Sequence, residues 1–454
     1  MYNRHRKLGP APKICYAADS HMHFNTDGTV TACCISKDFS WGKVNQQPLQ
    51  KIWAGEPAKL MRSRLNRYEM NGSCALCKHQ LLSGNFNAMQ TRNYDRLFRH
   101  RARNYEGPTS LTLEVSNQCN LECVMCNGDF SHLIREKREG RPPLTEHYGP
   151  AFIDELAPFL PYLEKINCLG GEPFLIKTYV DLWEKLLRVN RYCRIHVQTN
   201  GTVYNDRIRN LLETGQFNVG VSIDSLYAPV YEQIRVNAKL QTVLKHVGFF
   251  SELARKGKLQ LSFNFCPLKR NWMELPEMVK FADANHASLF ILNVMMPKYE
   301  SIRSEGPEKI REIAATLRHA LQTTISKWSR NRAALVGFIS QLESWATLAD
   351  TIQSESRRIQ ELSSEEAVWT ACHQFVTNHS LSGIDPNETN EVIRIFRNRL
   401  SELEFHHLRE IVSNLIPEIQ FFSDFINGVD REKLFEGIEN LIITERNALI
   451  SKRK

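Results

Sequence analysis

Apolar and polar positions divide the chain into three zones. In the middle zone, residues 108–300, short apolar runs of strand length alternate with longer stretches of helical period. The predicted strands are Leu111–Val115, Ile166–Leu169, Arg194–Gln198, Phe217–Ile223, Leu259–Phe265 and Leu289–Val294. The predicted helices between them are Phe130–Arg138, Phe152–Leu163, Tyr179–Val189, Ala238–Lys256 and Leu275–Asn285. This alternation predicts an α/β fold of parallel βα units, as an open sheet or a partial barrel.

The flanking zones have different patterns. In residues 1–107, two short alternating runs surround the turn residues Asn25–Gly28, which predicts a β-hairpin. Apolar residues recur at helical spacing over Leu49–Leu65, which predicts one helix. Residues 301–454 read as amphipathic helices and predict a helical extension. The predicted domains are therefore 1–107, 108–300 and 301–454.

Composition favours a soluble cytoplasmic protein. The chain has 454 residues, of which 42% are hydrophobic and 24% charged, as in ordinary globular proteins. No stretch approaches the ~18 apolar residues of a membrane helix, and the N-terminus does not have the pattern of a secretory signal. In a reducing compartment, the 12 cysteines are expected to bind metals rather than form disulfides.

The net charge of +8 is concentrated at the N-terminus. Residues 1–107 hold 17 basic and 7 acidic residues. This excess indicates either a solvated basic surface or a docking face for an acidic or phosphate-bearing partner. The sequence contains no nucleic-acid-binding motif, so we expect no nucleic acid as a partner, and no membrane.

Three cysteines follow the first predicted strand of the middle zone. Cys119, Cys123 and Cys126 have the spacing Cys-x3-Cys-x2-Cys. Thiolates hold iron–sulfur clusters, usually four to a cubane, so three on one loop leave one iron open for another ligand. An open iron indicates chemistry rather than electron storage. Zinc is the main alternative metal, but structural zinc prefers four ligands and Cys-x2-Cys pairs.

This loop resembles the signature of the radical S-adenosylmethionine (radical SAM) enzymes, whose fold is a partial (β/α)6 barrel. The resemblance implies that the three cysteines hold a [4Fe-4S] cluster whose open iron binds the amino and carboxylate groups of S-adenosylmethionine. An electron from a donor such as flavodoxin or ferredoxin then cleaves the sulfonium. The resulting 5′-deoxyadenosyl radical abstracts a hydrogen from the substrate.

Further motifs fit this resemblance. Gly170, Gly171 and Glu172 stand at the end of the second strand in a Gly-Gly-Glu-Pro sequence similar to the family's. The glycines allow close backbone approach, and Glu172 can accept a hydrogen bond from the methionine ammonium. Ser222, on the fourth strand, and Arg235 match positions that hold the carboxylate or ribose of S-adenosylmethionine in relatives. Asp224, beside Ser222, is expected either to cap a loop or helix or to act in the site.

A second set of cysteines lies near the N-terminus. Cys15, Cys74, Cys77 and one of the adjacent pair Cys33 and Cys34 can close a four-thiolate zinc or [4Fe-4S] site. The stretch resembles the twitch/SPASM auxiliary-cluster domains, here placed before the barrel, which implies an auxiliary [4Fe-4S] cluster. Adjacent strand residues point to opposite faces, so only one of the pair is a ligand. Cys33 is the prediction because its spacing from Cys15 resembles the family's better.

No motif in the sequence identifies the substrate. Analogy with auxiliary-cluster relatives favours modification of a peptide or natural product, with a small metabolite as the alternative. Cys266, at the end of the fifth strand, and Cys372, in the helical zone, are candidate hydrogen-atom donors. The alternative to an enzyme is a non-catalytic iron–sulfur or zinc protein that serves as a redox sensor or a binding module. The Gly-Gly-Glu-Pro sequence and Ser222 favour the enzyme.

Overall fold

The computed structural model describes residues 2–6, 9–37, 39–70, 72–82, 86, 89–96, 105–379, 386–400 and 404–425. The strands are β1 (His21–Phe24), β2 (Thr29–Thr31), β3 (Gly42–Lys43), β4 (Ser110–Leu113), β5 (Lys165–Cys168), β6 (Arg194–Thr199), β7 (Gln216–Ser222), β8 (Leu259–Phe265) and β9 (Ser288–Ile291). The helices are α1 (Ala17–Ser20), α2 (Leu49–Ala54), α3 (Glu56–Asn66), α4 (Ala75–Leu82), α5 (Pro150–Leu156), α6 (Lys177–Val189), α7 (Asp206–Thr214), α8 (Ala228–Ile234), α9 (Leu240–Arg255), α10 (Leu275–Ala284), α11 (Pro307–Thr323), α12 (Arg332–Glu361), α13 (Glu365–His379), α14 (Pro386–Leu400) and α15 (Phe405–Phe425).

The strands form one nine-stranded sheet in the order β3-β2-β1-β4-β5-β6-β7-β8-β9. Neighbouring strands from β4 to β9 are parallel, which confirms the predicted partial barrel of six βα strands. The predicted hairpin is also confirmed, since β1 and β2 are antiparallel. The sequence did not predict that β1 pairs in parallel with β4, so the hairpin extends the barrel sheet.

One face of the sheet is apolar and packs against helices. Ile195 and Val197 of β6 and Ile166 and Cys168 of β5 are fully buried on this face. Trp183 of α6 is also fully buried there, and its indole N–H lies 3.3 Å from the Cys168 sulfur. This burial of alternate residues anchors the helical layer on the sheet.

The other face, called the inner face here, is polar across the barrel. Its side chains alternate with the buried apolar ones and form rows in register across the strands. The lower row, at the amino ends of the parallel strands, is His21, Ser110, Lys165, Arg194 and Gln216. The next row is His23, Thr112, Asn167, His196, Asn218 and Gln260. A face lined in this way is suited to a polar ligand.

The helix predicted over Leu49–Leu65 is wrong as a single element. It is divided into α2 and α3 at Gly55, whose backbone is extended. Pro57 lies in the first turn of α3, where its ring is tolerated because the amide it lacks would have no helical partner. Helices α7 and α8 were not predicted.

The C-terminal helices divide between two hydrophobic cores. Apolar residues of α11 and the first half of α12, such as Leu317 and Phe338, belong to the same core as the barrel. A second core begins at Ile359 and continues through α13, α14 and α15 to Ile416. The barrel core therefore extends beyond the predicted boundary at residue 300. None of the helices in the described part of the chain is long and apolar enough to span a bilayer.

Candidate active site and auxiliary cluster site

The cysteine loop follows β4 at the carboxyl edge of the parallel strands. Cys119 and Cys123 are buried and Cys126 is partly exposed. Two backbone bonds hold the loop against the end of β5: Gly171 N–H to Ser116 O at 3.0 Å, and Glu172 N–H to Gln118 O at 2.7 Å. A Cβ on Gly171 would lie 2.0 Å from Gln118 O, so only glycine permits this approach.

Donors surround the sulfur atoms of the loop. Arg235 Nη1 donates to Cys123 Sγ at 3.6 Å, and Asn200 Nδ2 donates to Cys119 Sγ at 3.9 Å. The Arg138 guanidinium donates to the carbonyl oxygens of Cys123 and Cys126. Two cations and an amide thus face the loop, an environment that favours negatively charged sulfur.

The donor set fits an iron–sulfur cluster. Burial raises the pKa of the Cys119 thiol to about 12 and that of the Cys126 thiol to about 11. Such thiols lose their protons only when a strong cation takes the proton's place, and iron is such a cation. These three residues would hold the cluster.

Glu172 connects the ends of two strands. Its carboxylate is fully buried and accepts hydrogen bonds from Thr199 Oγ1 at 2.6 Å, Asn200 N–H at 2.6 Å and Phe174 N–H at 3.1 Å. Burial raises its pKa to about 7 despite these donors. Because a carboxylate offers about four acceptor positions, one position remains for a ligand.

Arg235 and Asp224 form a buried ion pair, with Arg235 Nε 2.5 Å from Asp224 Oδ2. Asp224 Oδ1 also accepts from the backbone N–H of Cys266 at 2.7 Å. Asp224 therefore caps the backbone at the end of β8 and at the same time fixes the arginine beside Cys123. Ser222 lies apart on the inner face, where its hydroxyl accepts from Gln198 Nε2 at 2.8 Å.

The candidate hydrogen-atom donors differ in position. Cys266 lies beside the Asp224–Arg235 pair, at the carboxyl edge where the cysteine loop also lies. Cys372 is fully buried in the second core, which contains only residues from Ile359 onwards. The structure thus groups Cys372 with these helices rather than with the cysteine loop, and its role as a hydrogen-atom donor stays a prediction.

The N-terminal cysteines meet in one cavity. Cys15, Cys33, Cys74 and Cys77 all line it, together with Met61, Leu65, Met70 and Tyr94 among others. Cys34 is exposed and is not among the lining residues. The apolar walls and the four thiols are a suitable environment for a four-cysteine cluster.

The two cysteine sites lie at opposite ends of the sheet. Cys15 precedes β1, which runs parallel to β4, and Cys33 follows β2, which runs in the opposite direction. Tyr94 connects the cavity to the lower row, since its ring lies 5.1 Å from the His21 ring. The polar inner face therefore lies between the two sites.

Sequence reasoning missed several residues around the cysteine loop. Arg138 and His132 have no motif, although the Cys119 N–H lies 3.1 Å from His132 Nδ1. Tyr94 lies in a segment without a recognisable pattern. Asn200 stands in the sequence Thr199-Asn200-Gly201 at the end of β6, and its contact with Cys119 is visible only in the fold.

Fold and site together define an iron–sulfur protein built on a partial βα barrel. The family model "Radical SAM superfamily" matches residues 113–282, and "Iron-sulfur cluster-binding domain" (SPASM) matches residues 15–78. Residues 113–282 therefore form a radical SAM enzyme domain, and residues 15–78 form a SPASM domain that precedes it. Its cofactors are a [4Fe-4S] cluster with S-adenosylmethionine, and SPASM domains bind auxiliary iron–sulfur clusters.

Curated relatives are 23% to 30% identical to the chain over the segments that align. GTP 3',8-cyclase of Synechocystis sp. is 23% identical over 51% of this chain and 70% of the relative. The probable GTP 3',8-cyclases of Methanocaldococcus jannaschii and Archaeoglobus fulgidus are 26% and 30% identical over 42% and 39% of this chain. These two alignments span only 60% and 55% of the relatives.

Solved structures match at lower similarity. Streptococcus suis SuiB bound to S-adenosylmethionine has 14% identity and a TM-score of 0.36, over 56% of this chain and 60% of that chain. The structure described as native anSMEcpe with bound AdoMet has 16% identity and a TM-score of 0.35, over 47% of this chain and 59% of that chain.

Proposed function

We propose that this chain reductively cleaves S-adenosylmethionine and uses the resulting radical to abstract a hydrogen atom from a polar substrate on the inner face. The observation that carries the proposal is the cysteine loop itself. Three thiols stand at the carboxyl edge of the barrel, on a loop fixed by the backbone of Gly171 and Glu172. When bound, the cluster and S-adenosylmethionine supply the electron and the 5′-deoxyadenosyl radical.

The chain's own residues have separate roles in this proposal. Cys119, Cys123 and Cys126 bind the cluster, and Glu172 accepts a hydrogen bond from the amino group of S-adenosylmethionine. Arg235 orients Cys123 through its N–H to sulfur bond and is itself held by Asp224. Asn200 makes a similar contact with Cys119.

Ser222 of β7 lies beside Gln198 of the neighbouring strand β6, on the polar inner face. A ligand that extends from the cluster along this face would pass Ser222. We propose that its hydroxyl contacts the S-adenosylmethionine ribose or carboxylate. Cys15, Cys33, Cys74 and Cys77 hold the auxiliary cluster at the other end of the sheet. The net reaction that we propose is modification of a peptide or natural product. The GTP 3',8-cyclase relatives add GTP as a substrate to assay.

The decisive experiment replaces Cys119, Cys123 and Cys126 together by serine. We expect the iron content to fall from about eight to about four per chain after anaerobic reconstitution, because one of two cubanes is lost. Formation of 5′-deoxyadenosine under reducing conditions should disappear. Cys34→Ser, an exposed thiol outside both sites, is the matched control and should keep both properties. A triple variant that still releases 5′-deoxyadenosine would refute the proposal.

A further inference from the structure

The segment that carries Arg235 is fixed against the cysteine loop by backbone bonds on both sides of Cys123. The N–H groups of Glu122 and Val124 donate to the carbonyl oxygens on either side of Arg235, at 3.1 and 3.0 Å. Between these two bonds, Arg235 Nη1 donates to Cys123 Sγ at 3.6 Å. The place of the guanidinium beside this sulfur therefore follows from the backbone as well as from the side chain.

Asp224 holds the same guanidinium from its other end. The Asp224 side chain is fully buried, and that of Arg235 is 11% exposed. The carboxylate also accepts from the Cys266 N–H, and the backbone oxygen of Asp224 accepts from Asn271 Nδ2 at 2.6 Å. Asn271 Nδ2 donates in turn to Cys266 O at 3.1 Å. The ion pair is thus anchored just beyond the ends of β7 and β8.

The three sulfur atoms of the cysteine loop have unequal donors. Cys123 has a cationic donor, and Cys119 has the neutral amide of Asn200 at 3.9 Å. No side chain in the described part of the chain donates to the sulfur of Cys126, whose own thiol faces a backbone oxygen. Because a guanidinium keeps its proton in proteins, the donor at Cys123 is permanent. Cys123 is therefore the sulfur at which these side chains most favour negative charge.

We propose that Arg235, positioned by Asp224, sets the reduction potential of the iron–sulfur cluster that the cysteine loop would hold. Reduction adds one negative charge, which the thiolate sulfurs share. A hydrogen bond to sulfur and a nearby cation both stabilise this charge and therefore raise the potential. The inference rests on the proposed function only in assigning the cluster to Cys119, Cys123 and Cys126.

The test is a redox titration of the reconstituted full chain without S-adenosylmethionine, followed by electron paramagnetic resonance. The signal that the triple serine variant of the cysteine loop lacks belongs to this cluster. Arg235→Gln removes the cationic donor and leaves the Asp224 carboxylate without its partner, and both changes disfavour an added electron. We expect the ratio of reduced to oxidised cluster at a fixed potential to fall about tenfold or more, which corresponds to a shift of about 59 mV or more.

A double variant separates the loss of the donor from the unpaired carboxylate. Asp224→Asn combined with Arg235→Gln removes both charges, so no buried carboxylate lacks a partner and the fold is spared that cost. We expect its potential to lie between those of the parent and of Arg235→Gln. The matched control is Arg207→Gln, which takes an arginine from its ion pairs with Asp181 and Glu184 on the outer surface. It should keep the potential of the parent.

Three results would overturn the inference. The first is a potential in Arg235→Gln equal to that of the parent. The second is a shift in Arg235→Gln that disappears in the double variant, because the unpaired carboxylate would then be its cause. The third is a shift seen only with S-adenosylmethionine present, because Arg235 would then act on the cofactor alone. Formation of 5′-deoxyadenosine by the parent is measured separately, so failure of the proposed function gives a different result.

Discussion

Single residues decide what the two cysteine sites can bind. Cys33 and Cys34 are adjacent and chemically identical, but only Cys33 lines the cavity with Cys15, Cys74 and Cys77. The two residues lie in the turn that follows β2, where Ser36 N–H donates to Cys33 O at 3.1 Å, and this turn places only Cys33 at the cavity.

This difference predicts separate results for two conservative variants. Cys33→Ser should lose the auxiliary cluster and leave about four of about eight irons, whereas Cys34→Ser should keep all of them. Iron analysis with electron paramagnetic resonance of the reduced protein measures both. Equal iron contents in the two variants would contradict the assignment of Cys33.

Glu172 gives a second prediction at this scale. Glu172→Gln keeps the size of the side chain but replaces one carboxylate oxygen by an N–H₂ group. In the parent chain, Thr199 Oγ1 and Asn200 N–H both donate to this carboxylate, so the variant places a donor against a donor. We expect S-adenosylmethionine to bind roughly 30- to 1000-fold more weakly, with the iron content unchanged. Calorimetric titration of the reconstituted protein measures the affinity.

The matched control for this variant is Glu184→Gln. Glu184 is paired with Arg207 on the outer surface of α6 and α7, away from the cysteine loop. It should bind S-adenosylmethionine like the parent. Unchanged affinity in Glu172→Gln would remove Glu172 from the cofactor site.

At the scale of elements, the side chain of Asn331 bonds to the backbone of β9, the strand at one edge of the sheet. Asn331, just before α12, accepts from Leu289 N–H of β9 at 2.7 Å and donates to Ala287 O at 3.0 Å. These bonds imitate a further strand, so the loop between α11 and α12 covers an edge that would otherwise pair with other chains.

Asn331→Ala would leave one backbone donor and one acceptor of this edge without their partner. The cost is about 1–3 kcal/mol in the free energy of unfolding, because both groups are buried. Denaturant unfolding of the parent and the variant measures it. Asn293→Ala, at an exposed position just beyond β9, should have little effect. Equal stability of both variants and the parent would show that Asn331 does not support the edge.

For the whole molecule, the division into two cores predicts where the chain tolerates truncation. A chain ending at residue 350 keeps α11 and the part of α12 that packs on the barrel, including Leu335 and Leu342. We expect it to fold, to hold both clusters and to bind S-adenosylmethionine, because the second core starts later.

A chain ending at residue 300 removes apolar side chains from the barrel core itself, such as Ile310 and Leu317. Exposing that core should lead to aggregation or to loss of iron. Soluble expression and iron content of the two truncated chains compare the cases. The interpretation fails if the shorter chain retains its clusters as well as the longer one does.

Much of this architecture was predictable because it depends on local spacing. The strand pattern, the hairpin around Asn25–Gly28 and the cysteine loop are properties of neighbouring residues, and the structure contains each of these elements. The resemblance to the radical SAM enzymes rested on the same short motifs, and the family models confirm it.

Tertiary structure decided what depends on residues far apart in the chain. The parallel pairing of β1 with β4 joins residues about 90 positions apart, and no local pattern specifies such a pairing. The position of Arg235 beside Cys123 and the gathering of Lys165, Arg194 and His21 on one face also depend on strand order. The sequence by itself determined which elements form and which metal chemistry the cysteines support. The fold decided which side chains meet, because contact between distant residues follows from packing and register rather than from spacing along the chain.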